Sequence, residues 1–177
     1  MKIQSVVFNI YLQAVLVLLV MTCGCKSTEE KKRDKEATLL RFHIEVNRDG
    51  TPYNQPVPVF RSDPVMVNVS RDPFLDEGSI LAASVVDVDE HGGYAIRLQF
   101  DEHGTLILDN YTTSYRGQRL VIYAQWTEIR WLAAPRITKR VPDGILIFTP
   151  DCSREEAERI VRGLNNVAKR LRKKYTF

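Results

Sequence analysis

The chain has 177 residues, 44% of them apolar, and a formal net charge of +3. That length holds one domain of ordinary size and is cramped for two, and so small a charge does not point to a nucleic-acid partner. Three cysteines do not make a disulfide framework.

The first element is a leader. Lys2 precedes an apolar stretch from Val6 to Met21 that only Asn9 and Gln13 interrupt. A helix that spans a bilayer needs about 20 predominantly apolar residues; this stretch is short for that and ends in small residues and cysteine, the pattern of a signal peptide over residues 1–24. The alternative is an uncleaved anchor helix, which leaves the domain on the same side of the membrane. Thr22-Cys23-Gly24-Cys25 resembles the bacterial lipobox, in which a small residue precedes the cysteine that receives diacylglycerol. Gly24 makes Cys25 the lipidation candidate, with Cys23 as the alternative; the departure is Thr22, where the pattern prefers leucine. Cys152 is then left without a partner and reads as structural or incidental, since a reactive thiol needs a base and only His43, His91 and His103 exist to supply one.

Residues 25–37 read as the lipidated cysteine and a charged tether, because Lys26 to Glu36 offer no apolar side chain to a core. By resemblance to known sorting patterns, the absence of Asp just after Cys25 implies transfer to an outer membrane rather than retention at the inner one. An α+β domain is expected over residues 38–177. Leu40, Phe42, Ile44 and Val46 alternate with polar residues as in a half-buried strand, and Asp49-Gly50 turns the chain. Pro52, Pro56, Pro58 and Pro64 punctuate the next stretch, Val65, Val67 and Val69 mark a short strand or edge segment, and Pro73 to Ala82 reads as a loop with a short helical piece.

Ser84 to Val88 is expected as a strand, His91-Gly92-Gly93 as a turn and Tyr94 to Phe100 as an alternating strand. Asp101 is placed to cap a helix running to about Tyr115, with Gly117 as its stop and Leu108, Tyr111 and Tyr115 on one face. Strands at Leu120 to Ala124 and Ile129 to Ala133 come next, then the Asp143-Gly144 turn and a short strand from Ile145 to Phe148. Ser153 and Glu156 form a capping box that opens the last helix. Its stripe of Ala157, Ile160, Val161, Leu164, Val167, Ala168 and Leu171 must pack on a sheet, while Glu155/Arg159 and Glu158/Arg162 stand four apart on the exposed side. The order reads as α+β, with helices on one face of a mostly antiparallel sheet. Lys169 to Lys174 end the helix in a basic run; cations there complement the helix dipole, and attraction to anionic lipid headgroups is the alternative.

From Ser84 onward five segments, in order, resemble the first periplasmic head domain of SecD, a subunit of the protein-export machinery. They are Leu98 to Gly104, Gly117 to Ile122, Ala133-Ala134-Pro135, Gly144 to Ile147, and Ser153 to Ala157. Residues 84–172 carry the likeness. It implies a split βαβ-like fold outside the membrane that faces exported polypeptide and acts by contact rather than covalent chemistry. The membrane helices through which SecD couples proton flow to its head have no counterpart after Met21, so that activity is not implied.

No reaction chemistry stands out. Asp101, Glu102 and His103 sit where acidic residues favour a helix start, the histidines lack metal spacing, and no phosphate loop or nucleophile elbow occurs. No cofactor or metal is expected, nor an enzyme; a hydrolase using Asp101 and His103 is the third reading. Tyr123, Trp126 and Trp131 cluster on one hairpin and are either cross-strand packing or a surface that takes an extended polypeptide. The leading expectation is a non-catalytic, lipid-anchored protein of the bacterial envelope that faces the periplasm and binds exported polypeptide or an envelope protein; the alternative is a structural component packing on a fixed partner or the cell wall.

Overall fold

The computed structural model describes residues 28–88 and 93–175, for Tyr175 the backbone alone. The expected leader, Cys23, Cys25, the first tether residues and His91-Gly92 lie outside the described residues. Helix α1 (Thr28–Arg33) is a short charged segment in which Lys32 and Glu29 pair at 3.4 Å. From Arg33 onward the chain clusters as one compact unit.

Alternation of apolar and polar residues makes β1 (Leu39–Ile44), with Leu40, Phe42 and Ile44 inward. The strand ends two residues before Val46, because Glu45 bridges to Val69 and the Val46 N–H donates to the Asn68 carbonyl at 2.9 Å, carrying the chain onto the next layer. That layer is a two-stranded ribbon of β2 (Asn54–Val59) and β3 (Val65–Ser70). The first of these is a strand where the prolines read as punctuation. Pro56 and Pro58 point to solvent while Val57 and Val59 point inward, so proline takes the outward places of a two-stranded ribbon.

The stretch expected as a loop with a helical piece contains β4 (Leu75–Asp76), one 3-10 turn at Glu77–Ser79, and the start of β5 (Ile80–Asp87). A bulge between Ile80 and Ala82 breaks the period of two there, which hid the beginning of β5 in the sequence. The remaining elements match expectation closely. β6 (Tyr94–Phe100) leads to Asp101, whose side chain accepts from the Gly104 N–H at 2.7 Å and so caps α2 (Glu102–Ser114). Gly117 takes φ +90 after the helix. β7 (Leu120–Gln125), β8 (Ile129–Ala133) and β9 (Ile145–Phe148) precede α3 (Arg154–Tyr175). The capping box at α3 is formed: the Ser153 N–H donates to Glu156 at 2.7 Å and the Glu156 N–H to the Ser153 hydroxyl at 3.2 Å.

Where one sheet is expected, the structure has three, and every pairing is antiparallel: β4-β1-β7-β8, the β2-β3 ribbon, and β5-β6-β9. The four- and three-stranded sheets share one core with α2 and α3. Phe42 and Phe100 meet edge to face at 5.5 Å in its middle, with Leu108 of α2 and Ala157, Ile160 and Leu164 of α3 buried around them. A second, smaller cluster forms on the other face of the four-stranded sheet, where Val57, Val59, Val67 and Val69 of the ribbon close over Val121. Thus β7 is buried on both faces and reads as a continuous apolar run, Leu120-Val121-Ile122.

The expected i,i+4 pairing of Glu158 with Arg162 is replaced. Arg162 instead pairs at 2.7 Å with Glu36 at the entry to the domain, and Glu158 lies 3.9 Å from Arg154. Close approach explains the position of that entry. A Cβ on Gly163 would lie 2.2 Å from the Thr38 hydroxyl and 2.9 Å from its backbone N, so glycine there lets the chain at Ala37-Thr38 lie directly against α3.

Candidate functional site

The β7-β8 hairpin places the three aromatic candidates, all half-buried, in two groups. Tyr123 and Trp131 are cross-strand partners with ring centroids 5.2 Å apart, and Trp131 also meets the His43 ring at 5.1 Å and packs on the valine cluster. Trp126, in the turn beyond β7, packs against the main core with the Arg130 guanidinium over its ring at 5.4 Å. The two tryptophans line different concavities: Trp131 one of about 270 Å³ with Pro58, Phe60 and Pro64, and Trp126 one of about 220 Å³ with Ala37 and Thr38. No single aromatic patch unites the three.

A longer concave surface lies nearby; some of its residues carry the family resemblance in sequence, but none is marked there as a binding surface. One part, about 470 Å³, is lined by Phe60, the end of β8 at Ala133 with Pro135, and Thr149 to Asp151. The other, about 340 Å³, shares Pro135 and continues past Ile137 and Val141 to Ile145, Leu146 and Ile147. Side chains alternate along a strand, so three consecutive residues of β9 can line one concavity only if it runs along the strand's edge. β9 is an edge strand, as is β8, and Ile147 and Ile129 on them are 53% and 63% exposed. The run Ile145 to Phe148 looks fully buried in the sequence; nothing in its apolar pattern signals an open side.

Phe60 stands between the two concavities that flank it, 40% exposed and at φ +73. Left-handed backbone is unusual for a bulky residue, and here it turns the chain out of β2 toward a charged cluster. Arg61 reaches Glu128 and Glu156, both at 3.1 Å, and its N–H donates to Asp151; Arg130 sits 3.1 Å from Glu128 and 3.7 Å from Asp151. The Ser153 N–H, followed by Arg61 and Arg130, holds the Glu156 carboxyl below its ordinary range. The cluster ties the ribbon to the β7-β8 turn and to the start of α3, and so fixes one end of the groove.

The groups considered for chemistry are otherwise occupied or apart. Asp101 caps α2 and His103 is exposed beside it. His43 is buried, with Nδ1 2.8 Å from the Ser70 carbonyl, and burial pushes its imidazole toward the neutral form. Burial likewise raises the Cys152 thiol to about 11, which leaves it protonated at neutral pH, the opposite of what a nucleophile needs. Among the described residues no group of three or more His, Cys, Asp or Glu is placed to hold a metal ion, and no helix is long and apolar enough to cross a membrane.

Two antiparallel sheets and two helices around one core define a small α+β domain whose fold resembles the SecD head. A solved structure of SecDF, a membrane component described as enhancing protein export, superposes with a TM-score of 0.55 over 81% of this chain and 70% of that one, at 18% identity. The crystal structure of SecDF in its super-membrane-facing form gives a TM-score of 0.53 at 20% identity, over 79% of this chain but only 21% of the other. The likeness therefore extends beyond the half of the chain that carries the resemblance in sequence. No family model and no curated protein matches the chain.

Proposed function

We propose that the protein is a non-catalytic lipoprotein of the bacterial envelope, anchored through acylated Cys25 or Cys23, whose domain binds exported polypeptide or an envelope protein on the periplasmic side. The observation that carries this reading is the shared fold with SecDF, described as a membrane component that enhances protein export. The lipobox-like leader supports the anchor and the outer membrane as its place. Contact rather than catalysis is supported by Asp101 serving as a helix cap and by a thiol held in its protonated form. Strand addition supplies main-chain hydrogen bonds without requiring a fixed client sequence, and the aromatic hairpin together with the β9 edge and the exposed Ile129 end of β8 offers a surface for it.

Photo-crosslinking in cells tests the proposal, with a crosslinking residue at Ile129 or Ile147 and a control at Leu106, which is exposed on α2. Varied, unfolded export clients at the two edge positions are the expected outcome. One constant partner would instead establish the structural reading, and equal capture at Leu106, or none anywhere, would end the idea of a client surface.

A further inference from the structure

The domain holds the start of its own chain along the last helix. Arg162 pairs with Glu36 at 2.7 Å; one turn on, the Asn166 amide donates to the Arg33 and Glu36 carbonyls at 2.8 and 3.1 Å; one turn further, Arg170 donates to the Asp34 carbonyl at 2.9 Å. Positions 162, 166 and 170 share one helix face. Glu36 is held at 162 and 166, Asp34 at 170 and Arg33 at 166, so the entering chain lies against the half of α3 that leads into its C-terminal turns. There Lys169, Arg170, Arg172, Lys173 and Lys174 are all exposed, and no acidic residue interrupts them.

We infer that this basic end of α3 is a second membrane contact, docking on the anionic phospholipid headgroups beside the acyl anchor. The inference rests on the lipoprotein reading. Eight residue steps separate Cys25 from Arg33, and even fully extended they reach no more than about 29 Å. The tether thus holds Arg33 within that reach of the lipid surface, and the entering chain lies against Asn166 and Arg170, where the positively charged end of the helix begins. A single acyl signal and a polybasic patch reinforce each other, because the anchor has already confined the patch to the surface. Such attraction falls with salt, as the Debye length shrinks to about 3 Å near 1 M.

The test uses the full chain, acylated and reconstituted in vesicles of phosphatidylcholine alone or with about one third phosphatidylglycerol. An impermeant amine reagent reports on Lys169, Lys173 and Lys174, with Lys139 on the β8-β9 connection as internal control. Labelling of the three helix lysines is expected to fall at least threefold in the anionic vesicles, to recover near 1 M salt, and to leave Lys139 unchanged; Lys173→Gln with Lys174→Gln should weaken the protection of Lys169. Equal labelling in both lipid mixtures, in a chain that floats with the vesicles, would overturn the second contact alone. A chain that carries no acyl group and does not float would instead remove the lipoprotein reading beneath it.

Discussion

The three-stranded sheet has two edges, and α3 closes one of them. Along β5, the Asn165 side chain both accepts from the Ala83 N–H and donates to the Ala83 carbonyl, each at 2.9 Å, and Arg172 donates to the Leu81 carbonyl at 2.8 Å. A helix side chain thereby takes the hydrogen bonds that an incoming strand would use. At the other edge, β9 borders the groove and leaves Ile147 half exposed. Unpaired edges invite association and are ordinarily blunted; here the β5 edge is sealed, whereas the β9 edge carries an exposed apolar residue.

Breaking the sealed side should have the largest effect. Leu164, 1% exposed, lies on the face of α3 that enters the core, and Leu164→Ala should cost about 3 kcal/mol, read as a lower urea midpoint. A smaller loss, about 1–2 kcal/mol, is expected for Asn165→Leu, which orphans the Ala83 N–H and carbonyl while keeping apolar bulk. That variant should also self-associate with rising concentration by light scattering, because it frees the β5 edge; a monomer of unchanged stability would show that Asn165 does not seal it. Ile147→Lys on the open side should change stability by less than about 0.5 kcal/mol in urea yet, if an extended chain adds at β9, reduce client crosslinking from a probe at Ile145 on the same strand, because a charge on an edge discourages strand addition.

The same contrast sorts what was legible in the sequence. Elements whose apolar and polar residues alternate or stripe announced themselves: β1, β6 and the α3 stripe carry the periods of strand and helix, and the capping box is read from its residue types and spacing. The ribbon strand β2 did not, since its prolines fill the outward positions, and β5 lost its first residues to the bulge beside Leu81. Tyr123, Trp126 and Trp131 were visible as residue types, but which side of the hairpin each would face depends on the ribbon closing over Val121, a long-range pairing that leaves no local mark. The groove was invisible for a related reason. It forms between the β9 edge and the segment Pro135 to Val141, which hydrogen bonds of Ile137 with Gly117 and Gln118 and of Val141 with Thr112 hold in place, pairings the local pattern does not show.

The clamp of residues 33–38 along α3 also decides how the domain bears load. A pull on the chain ahead of Arg33 would meet contacts spread over two turns of the helix, from Arg162 to Arg170, before it reached β1. Behind them, Thr38 abuts Gly163 and shields the start of β1. The start of β1 is thereby backed by the last helix, which would take up such a load before the sheet does.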